Sequence, residues 1–343
     1  MNSEKKDRIF QYLQPHLKEM IFDELSYGYL EKAGLMDILA DVPVPLRKDE
    51  LNKITTLSIA KSMAFVIGCD PAFKYKDNYV AYILRMFDKR FAEALIADGV
   101  DGAAKSDFDY ACIQFRAAML IDPDNVNAYY CYGRACKDAY ELGEEEDFIG
   151  RFKAESLEAF EVATMKDPSH AEAHYFLGYG YLNMGLYIKA KLTWDEFMKL
   201  SDNEEMKKEI AERLQQLEEP VEIEKAYNLV LAGKFEEGIA GLTPYKEGQY
   251  GKWWPLWYYL GSAYACLEQD EEAVECYQKV LTLSPSNAEA IEALAGLYEK
   301  LGDSEKQQKY EKKLEIVKAN AEADRKLKEE MKEMEAQPAT MLN

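Results

Sequence analysis

Residues 257–285 read WYYLGSAYACLEQDEEAVECYQKVLTLSP, and two spacings in this stretch decide the fold. Trp257, Leu260, Gly261 and Tyr264 step by 3, 1 and 3, which places them on one helical face. Ala273, Tyr277, Val280 and Pro285 step by 4, 3 and 5: a second helix with a small residue, a ring, an apolar residue and a stop. Neither helix can bury its stripe alone, so the two must stack on each other and on neighbours.

The second pattern recurs as Ala111, Phe115, Ala118, Pro123 and as Ser156, Phe160, Ala163, Pro168. Ala190, Trp194 and Phe197 keep its first two steps, with Asp202 where the proline would stand. The first pattern recurs as Tyr129, Tyr132, Gly133, Cys136, as His174, Leu177, Gly178, Tyr181, and more weakly as Ile291, Leu294, Ala295, Tyr298. A glycine inside a helix costs about 0.8–1.0 kcal/mol relative to alanine. Its recurrence therefore needs a reason, and close approach of two helix backbones is the expected one. Gly185 and Gly302 are expected to end their helices at the turn.

These residues resemble the tetratricopeptide repeat family, whose unit of about 34 residues carries this signature. The separation of Gly261 from Ala295 is 34 residues, whereas Gly133 to Gly178 is 45, an excess of 11 that residues 143–153 can hold between the helices. Repeats are expected near 126–168, 171–203, 254–287 and 288–320. Residues 108–121 read as the second helix of an earlier unit whose first helix, around 78–97, carries no motif. A degenerate pair at 223–245 has Gly238 where alanine is usual, and the 288–320 unit loses its second-helix signature at Gln307 and Glu311. The resemblance implies an all-α, right-handed superhelical solenoid with helical caps at both ends. Its expected divisions are an N-terminal helical cap at 1–75, about five to six repeats over 76–320, and a charged helix end and tail at 321–343.

In the flanks, residues 9–35 and 48–66 carry helical patterns separated by Pro43 and Pro45. Residues 304–335 read as one helix of roughly 45–50 Å. Its first half is expected to pack on the last repeat and its charged remainder to fray into the tail.

The charge balance of 42 Lys and Arg against 63 Asp and Glu, net −21, disfavours nucleic acid. No apolar run approaches a membrane span. The beginning of the chain has no secretory pattern, and six cysteines without a CxxC pair suit reduced thiols, so a cytoplasmic protein is expected. No nucleotide-binding, nucleophile-elbow or zinc-protease motif occurs, so neither an enzyme nor a cofactor is expected. His170 and His174, in HAEAH, could face one metal at i, i+4, but His174 also stands where Trp257 stands in another repeat, and a packing role is preferred. The run 144–147 reads as a solvated loop.

What remains is the concave face that stacked helix pairs create. Tyr130, Arg134, Tyr175, Tyr179, Asn183, Tyr258 and Ser262 are expected to line it and to bind another protein or peptide. Trp253 and Trp254 are expected to cover a seam between repeats, with an exposed hot spot as the alternative. Members of the family that hold the acidic carboxyl ends of heat-shock chaperones use a lysine and an asparagine one turn apart. The matching places here, Tyr130 with Arg134, Tyr175 with Tyr179 and Tyr258 with Ser262, lack that clamp, so this mode is disfavoured. Self-association is the first alternative function, and a metal- or small-molecule-dependent activity at His170 and His174 the second.

Overall fold

The computed structural model describes residues 7–48 and 54–336. By contacts the chain divides into two compact units, Met1–Glu212 and Arg213–Asn343.

The first unit opens with α1 (Phe10–Leu13), then β1 (Met20–Glu24), α2 (Tyr27–Ala33), α3 (Met36–Leu39) and β2 (Pro43–Arg47). The two strands pair antiparallel, from Met20 opposite Arg47 to Glu24 opposite Pro43. This corrects the expectation of an all-helical cap: residues 9–35 are broken by a strand, and Pro43 and Pro45 lie inside β2 instead of separating helices. A two-stranded ribbon has only edge strands, where a proline's missing N–H need cost no ladder bond. The next helix, α4 (Thr56–Cys69), starts at a capping box in which Thr55 and Ser58 bond each other's backbone N–H groups. Residues 49–53 of the expected 48–66 helix lie outside the described residues.

Helices α5 (Lys76–Phe87) and α6 (Arg90–Ala104) replace the single helix expected at 78–97. The chain breaks at Asp88, whose φ is +58° and whose carboxylate accepts from the backbone N–H and guanidinium of Arg90. The helix that pairs with α7 (Phe108–Ile121) is α6. The pair α8 (Val126–Leu142) and α9 (Glu146–Lys166) follows, then α10 (Ala171–Asn183) and α11 (Tyr187–Leu200). The excess residues at 143–153 are not a loop: only Gly143–Glu145 are non-helical, and the rest extends α9 to 21 residues.

That extension is where the N-terminal arm docks. The rings of Phe148 and Phe152 stack at 4.2 Å, and Tyr12 meets the edge of Phe148 at 5.0 Å. Asp147, expected in a solvated loop, accepts from Tyr12 Oη at 3.1 Å and Arg151 Nε at 2.8 Å. Arg8 bonds Glu155 and Glu158 at 3.0 and 2.7 Å, and the buried guanidinium of Arg116 pairs with Asp7. Helix α12 (Glu204–Gln216) crosses the division between the units.

The second unit contains α13 (Glu218–Leu231) packed on α14 (Phe235–Leu242), α15 (Trp254–Cys266) on α16 (Asp270–Leu283), and α17 (Ala288–Lys300) on α18 (Ser304–Ala336). In the degenerate pair the close approach is carried by the second helix, since a Cβ on Gly238 would lie 2.4 Å from Val230 Cγ2. Helix α18 packs on α17 through Tyr310, stacked on Tyr298 at 5.6 Å, which supplies the ring that Gln307 and Glu311 lack. It stays helical to Ala336 where fraying was expected, and residues 337–343 lie outside the described residues. Among the described residues no helix is long and apolar enough to cross a membrane.

One contact repeats through both units. A Cβ on Gly99 would lie 2.6 Å from the Phe115 ring, on Gly133 2.8 Å from Phe160, on Gly178 2.1 Å from Trp194 Nε1, and on Gly261 3.2 Å from Tyr277. The mid-helix glycines thus admit a ring from the second helix, and not, as expected, a second backbone.

Candidate functional site

Local sequence sets the start of three first helices, α8, α10 and α17, in the same way. Pro123, Pro168 and Pro285 are followed two residues later by Asn125, His170 and Asn287, and each of these caps its helix by accepting from a backbone N–H three residues on. His170 therefore has its Nδ1 turned to Ala173 N at 3.3 Å, and its ring lies 4.7 Å from that of Tyr130. His174 places Nε2 3.0 Å from the Pro168 carbonyl oxygen, and its buried Nδ1 has no partner among the described residues. Both rings are used by nearby backbone, and among the described residues no group of three or more His, Cys, Asp or Glu could hold a metal ion. The capping role was legible as Pro-x-Asn and Pro-x-His but was not read.

Five of the expected groove residues lie in the first unit. Tyr130 and Arg134, one turn apart on α8, form a local cluster: Arg134 Nη1 donates to Tyr130 Oη at 3.1 Å, and the guanidinium lies 4.3 Å over the Phe176 ring. Burial pushes the Tyr130 phenol up, and the neighbouring guanidinium opposes it. Tyr175 and Tyr179, one turn apart on α10, both donate to the carboxylate of Glu209 on α12, Tyr175 at 3.0 Å. Their rings also meet Phe197 at 5.4 Å and Trp194 at 4.9 Å respectively. Burial, then the bond to Glu209, drives the Tyr175 phenol well above its ordinary range. Glu209 was missed because α12 carries none of the repeat spacings.

Tyr179 and Asn183 also line a cleft of about 810 Å³ bounded by α8, α9 and α10. Its floor is apolar, with Leu157, Phe160 and Val162 from α9 and Phe176 from α10. At its edge stand Met165 and Met184, 73% and 60% exposed. Lys137, Lys153, Glu141 and Glu161 make a mixed charged rim. The lining by Leu157 and Val162 was not read from sequence, because they fall between the packing positions, and Phe160 was read as a packing residue alone.

The other expected residues lie in the second unit. Tyr258 meets the rings of Trp254 at 6.3 Å and Tyr277 at 5.7 Å, and Ser262 hydrogen-bonds with Tyr277. Trp253 is half-buried against the apolar cluster that α13, α14 and α15 share, whereas Trp254 is 37% exposed. The seven candidates therefore form three local groups in two units.

The tetratricopeptide repeat family model matches residues 254–287. No curated protein matches the chain. Among solved structures, the chain is similar to the tetratricopeptide domain of P58(IPK), at 13% identity over 78% of this chain and 75% of that one, with a TM-score of 0.42. It is also similar to MamA 41-end from Desulfovibrio magneticus RS-1, at 15% identity over 68% and 98%, TM-score 0.26. A third is YrrB, titled a TPR protein with an unusual peptide-binding site, at 17% identity over 62% and 96%, TM-score 0.32. The matched residues, α15 and α16, form a tetratricopeptide repeat, and the glycine-to-ring contact of that repeat recurs between α6 and α7, between α8 and α9 and between α10 and α11.

Proposed function

We propose that the chain is a binding scaffold that holds a segment of another protein in the cleft over α9, with Tyr179 and Asn183 on one wall. The observation that carries this reading is the cleft of about 810 Å³ itself, with its apolar floor and exposed methionines inside a charged rim. Methionine adapts its shape to a ligand at little cost, and a partner helix that buries two or three apolar anchors fits such a floor. The helices that build the walls are fixed by the glycine-to-ring contacts, so little entropy is lost on binding. Tyr175 is a positioning residue here, because its hydroxyl is spent on Glu209. The groups around Tyr130 and Arg134 and around Tyr258 and Ser262 are secondary contact surfaces. The six free cysteines suit a reducing compartment such as the cytoplasm.

The test is site-specific photo-crosslinking in the native cell. A crosslinker at Asn183 is expected to trap a partner, and the charge variant Met165→Glu with Met184→Glu to abolish the adduct while leaving the helical signal intact. A crosslinker at exposed Met86, away from the cleft, serves as the background. An adduct equal at Met86, or one unchanged by the charge variant, would sink the reading. An adduct made only of a second copy would turn it toward self-association.

A further inference from the structure

The stretch 245–254, YKEGQYGKWW, makes a tight turn in the second unit that brings Lys246 and Lys252 to one cleft beside Trp257. Gly248 has a φ of +79°, and a Cβ on Gly251 would lie 2.2 Å from the carbonyl oxygen of Lys246. Only glycine lets this turn close, and closing it holds Lys246 and Lys252 to the same rim. Trp257 Nε1 donates to the Gly251 carbonyl at 2.8 Å, which fixes the ring to the turn. The ammonium of Lys246 stands 5.4 Å from the centroid of that ring, and Lys279, reaching from α16, stands 5.8 Å from it.

These four side chains, with Glu275 and Cys276, line an open cleft of about 470 Å³. In a chain with 63 acidic and 42 basic residues, a cation usually finds a carboxylate, yet none of the three lysines is in an ion pair among the described residues. Among the residues that line the cleft, three ammonium groups face the single carboxylate of Glu275, an excess of two positive charges. The turn fixes the backbone of Lys246 and Lys252, and α16 that of Lys279, before any ligand arrives.

We propose that the cleft binds a phosphate monoester presented by a phosphorylated segment of a partner protein. Such a group carries about −1.5 to −2 charges at neutral pH, which matches the local excess, whereas a lone carboxylate balances half of it. Lysine serves phosphate as a point charge that needs no fixed fork geometry. A nucleic-acid backbone would meet the same lysines but must also approach a molecule of net charge −21. The cleft is open, so a phosphorylated side chain can enter while its backbone stays outside. This site is independent of the cleft over α9.

The experiment titrates the full chain with a labelled, otherwise neutral peptide carrying one phosphoserine, followed by fluorescence anisotropy. Its serine and glutamate counterparts and inorganic phosphate are the comparison arms. The phosphopeptide is expected to bind at least about tenfold more tightly than either counterpart, a difference of about 1.4 kcal/mol. Inorganic phosphate is expected to compete weakly. Lys246→Gln with Lys279→Gln, checked for fold by circular dichroism, is expected to weaken binding at least about tenfold. Binding should also fall below about pH 6, where the monoester becomes a monoanion. Equal binding of the glutamate peptide, no loss in the folded double variant, or no measurable binding would each overturn the proposal. Inorganic phosphate binding as tightly as the phosphopeptide would overturn the peptide as its source.

Discussion

At the scale of the residue, the glycine of each first helix is where the repeat is most sensitive. A methyl group at Gly178 would meet Trp194 Nε1 at 2.1 Å, and that indole is fully buried and donates to the Tyr175 carbonyl at 3.1 Å. At Gly261 the nearest Tyr277 ring atoms are 3.2 Å away, close enough to need only a small shift. Overpacking a core costs about 1–3 kcal/mol, and alanine recovers about 0.8–1.0 kcal/mol of helix propensity. Gly178→Ala, which also displaces the indole hydrogen bond, is therefore expected to lose about 2 kcal/mol in urea unfolding and Gly261→Ala to be nearly neutral. Equal losses would show that the distance to the ring does not set the cost. The same contact shows what could be read and what could not. Gly99 stands 16 residues before Phe115, the separation of Gly178 from Trp194 and of Gly261 from Tyr277, yet Asp98 and Gly102 stand where the pattern has an apolar residue before the glycine and a large one after it, and Leu95 with one glycine is too little to mark a helix.

At the scale of the element, the arm ahead of α1 is tied to two helices, α7 and α9, by polar contacts that no periodicity announces. Arg116, on α7, has a side chain 6% exposed and pairs with Asp7, while Tyr132 on α8 and Arg8 in the arm share Glu155 on α9. Removing one partner of a buried pair strands the other, at a cost of about 3 kcal/mol. Asp7→Ala is expected to lower stability by about that amount, and adding Arg116→Met to recover part of it, with both changes read from urea midpoints. If Asp7→Ala costs nothing, the arm does not depend on this pair. The helix extension that receives the arm was misread for a local reason. GEEEDFIGRFK holds two glycines and an acidic run, which favour a loop, until Tyr12 covers Phe148 and Phe152.

At the scale of the whole molecule, buried phenols and thiols make stability depend on alkaline pH. Burial pushes the Tyr82 phenol and the Cys69 thiol up to about 12, and Tyr79, Tyr175, Tyr181 and Tyr277 are raised further still, with burial the largest cause for each. These groups stay neutral in the folded chain after their unfolded counterparts have lost protons. Their contribution is therefore fully present below about pH 8 to 9 and is lost as pH rises through about 9 to 12. Tyrosinate absorbance and circular dichroism, followed together through this range, are expected to show a late group of phenols titrating only as the helices melt. Smooth titration of all 24 tyrosines with the helical signal intact would contradict it.

The amino-acid sequence by itself determined the helix pairs, their order and their boundaries wherever ring, glycine and proline recur, because these are local demands of helical period and helix termination. It also determined, through charge balance and missing motifs, which kinds of partner to disfavour. Tertiary structure alone decided that Tyr175 and Tyr179 meet Glu209, that α9 floors a cleft, and that Lys246, Lys252 and Lys279 line one cleft with Trp257. Those contacts join residues on different elements. Their geometry depends on how whole helices and turns pack, which no spacing along the chain encodes.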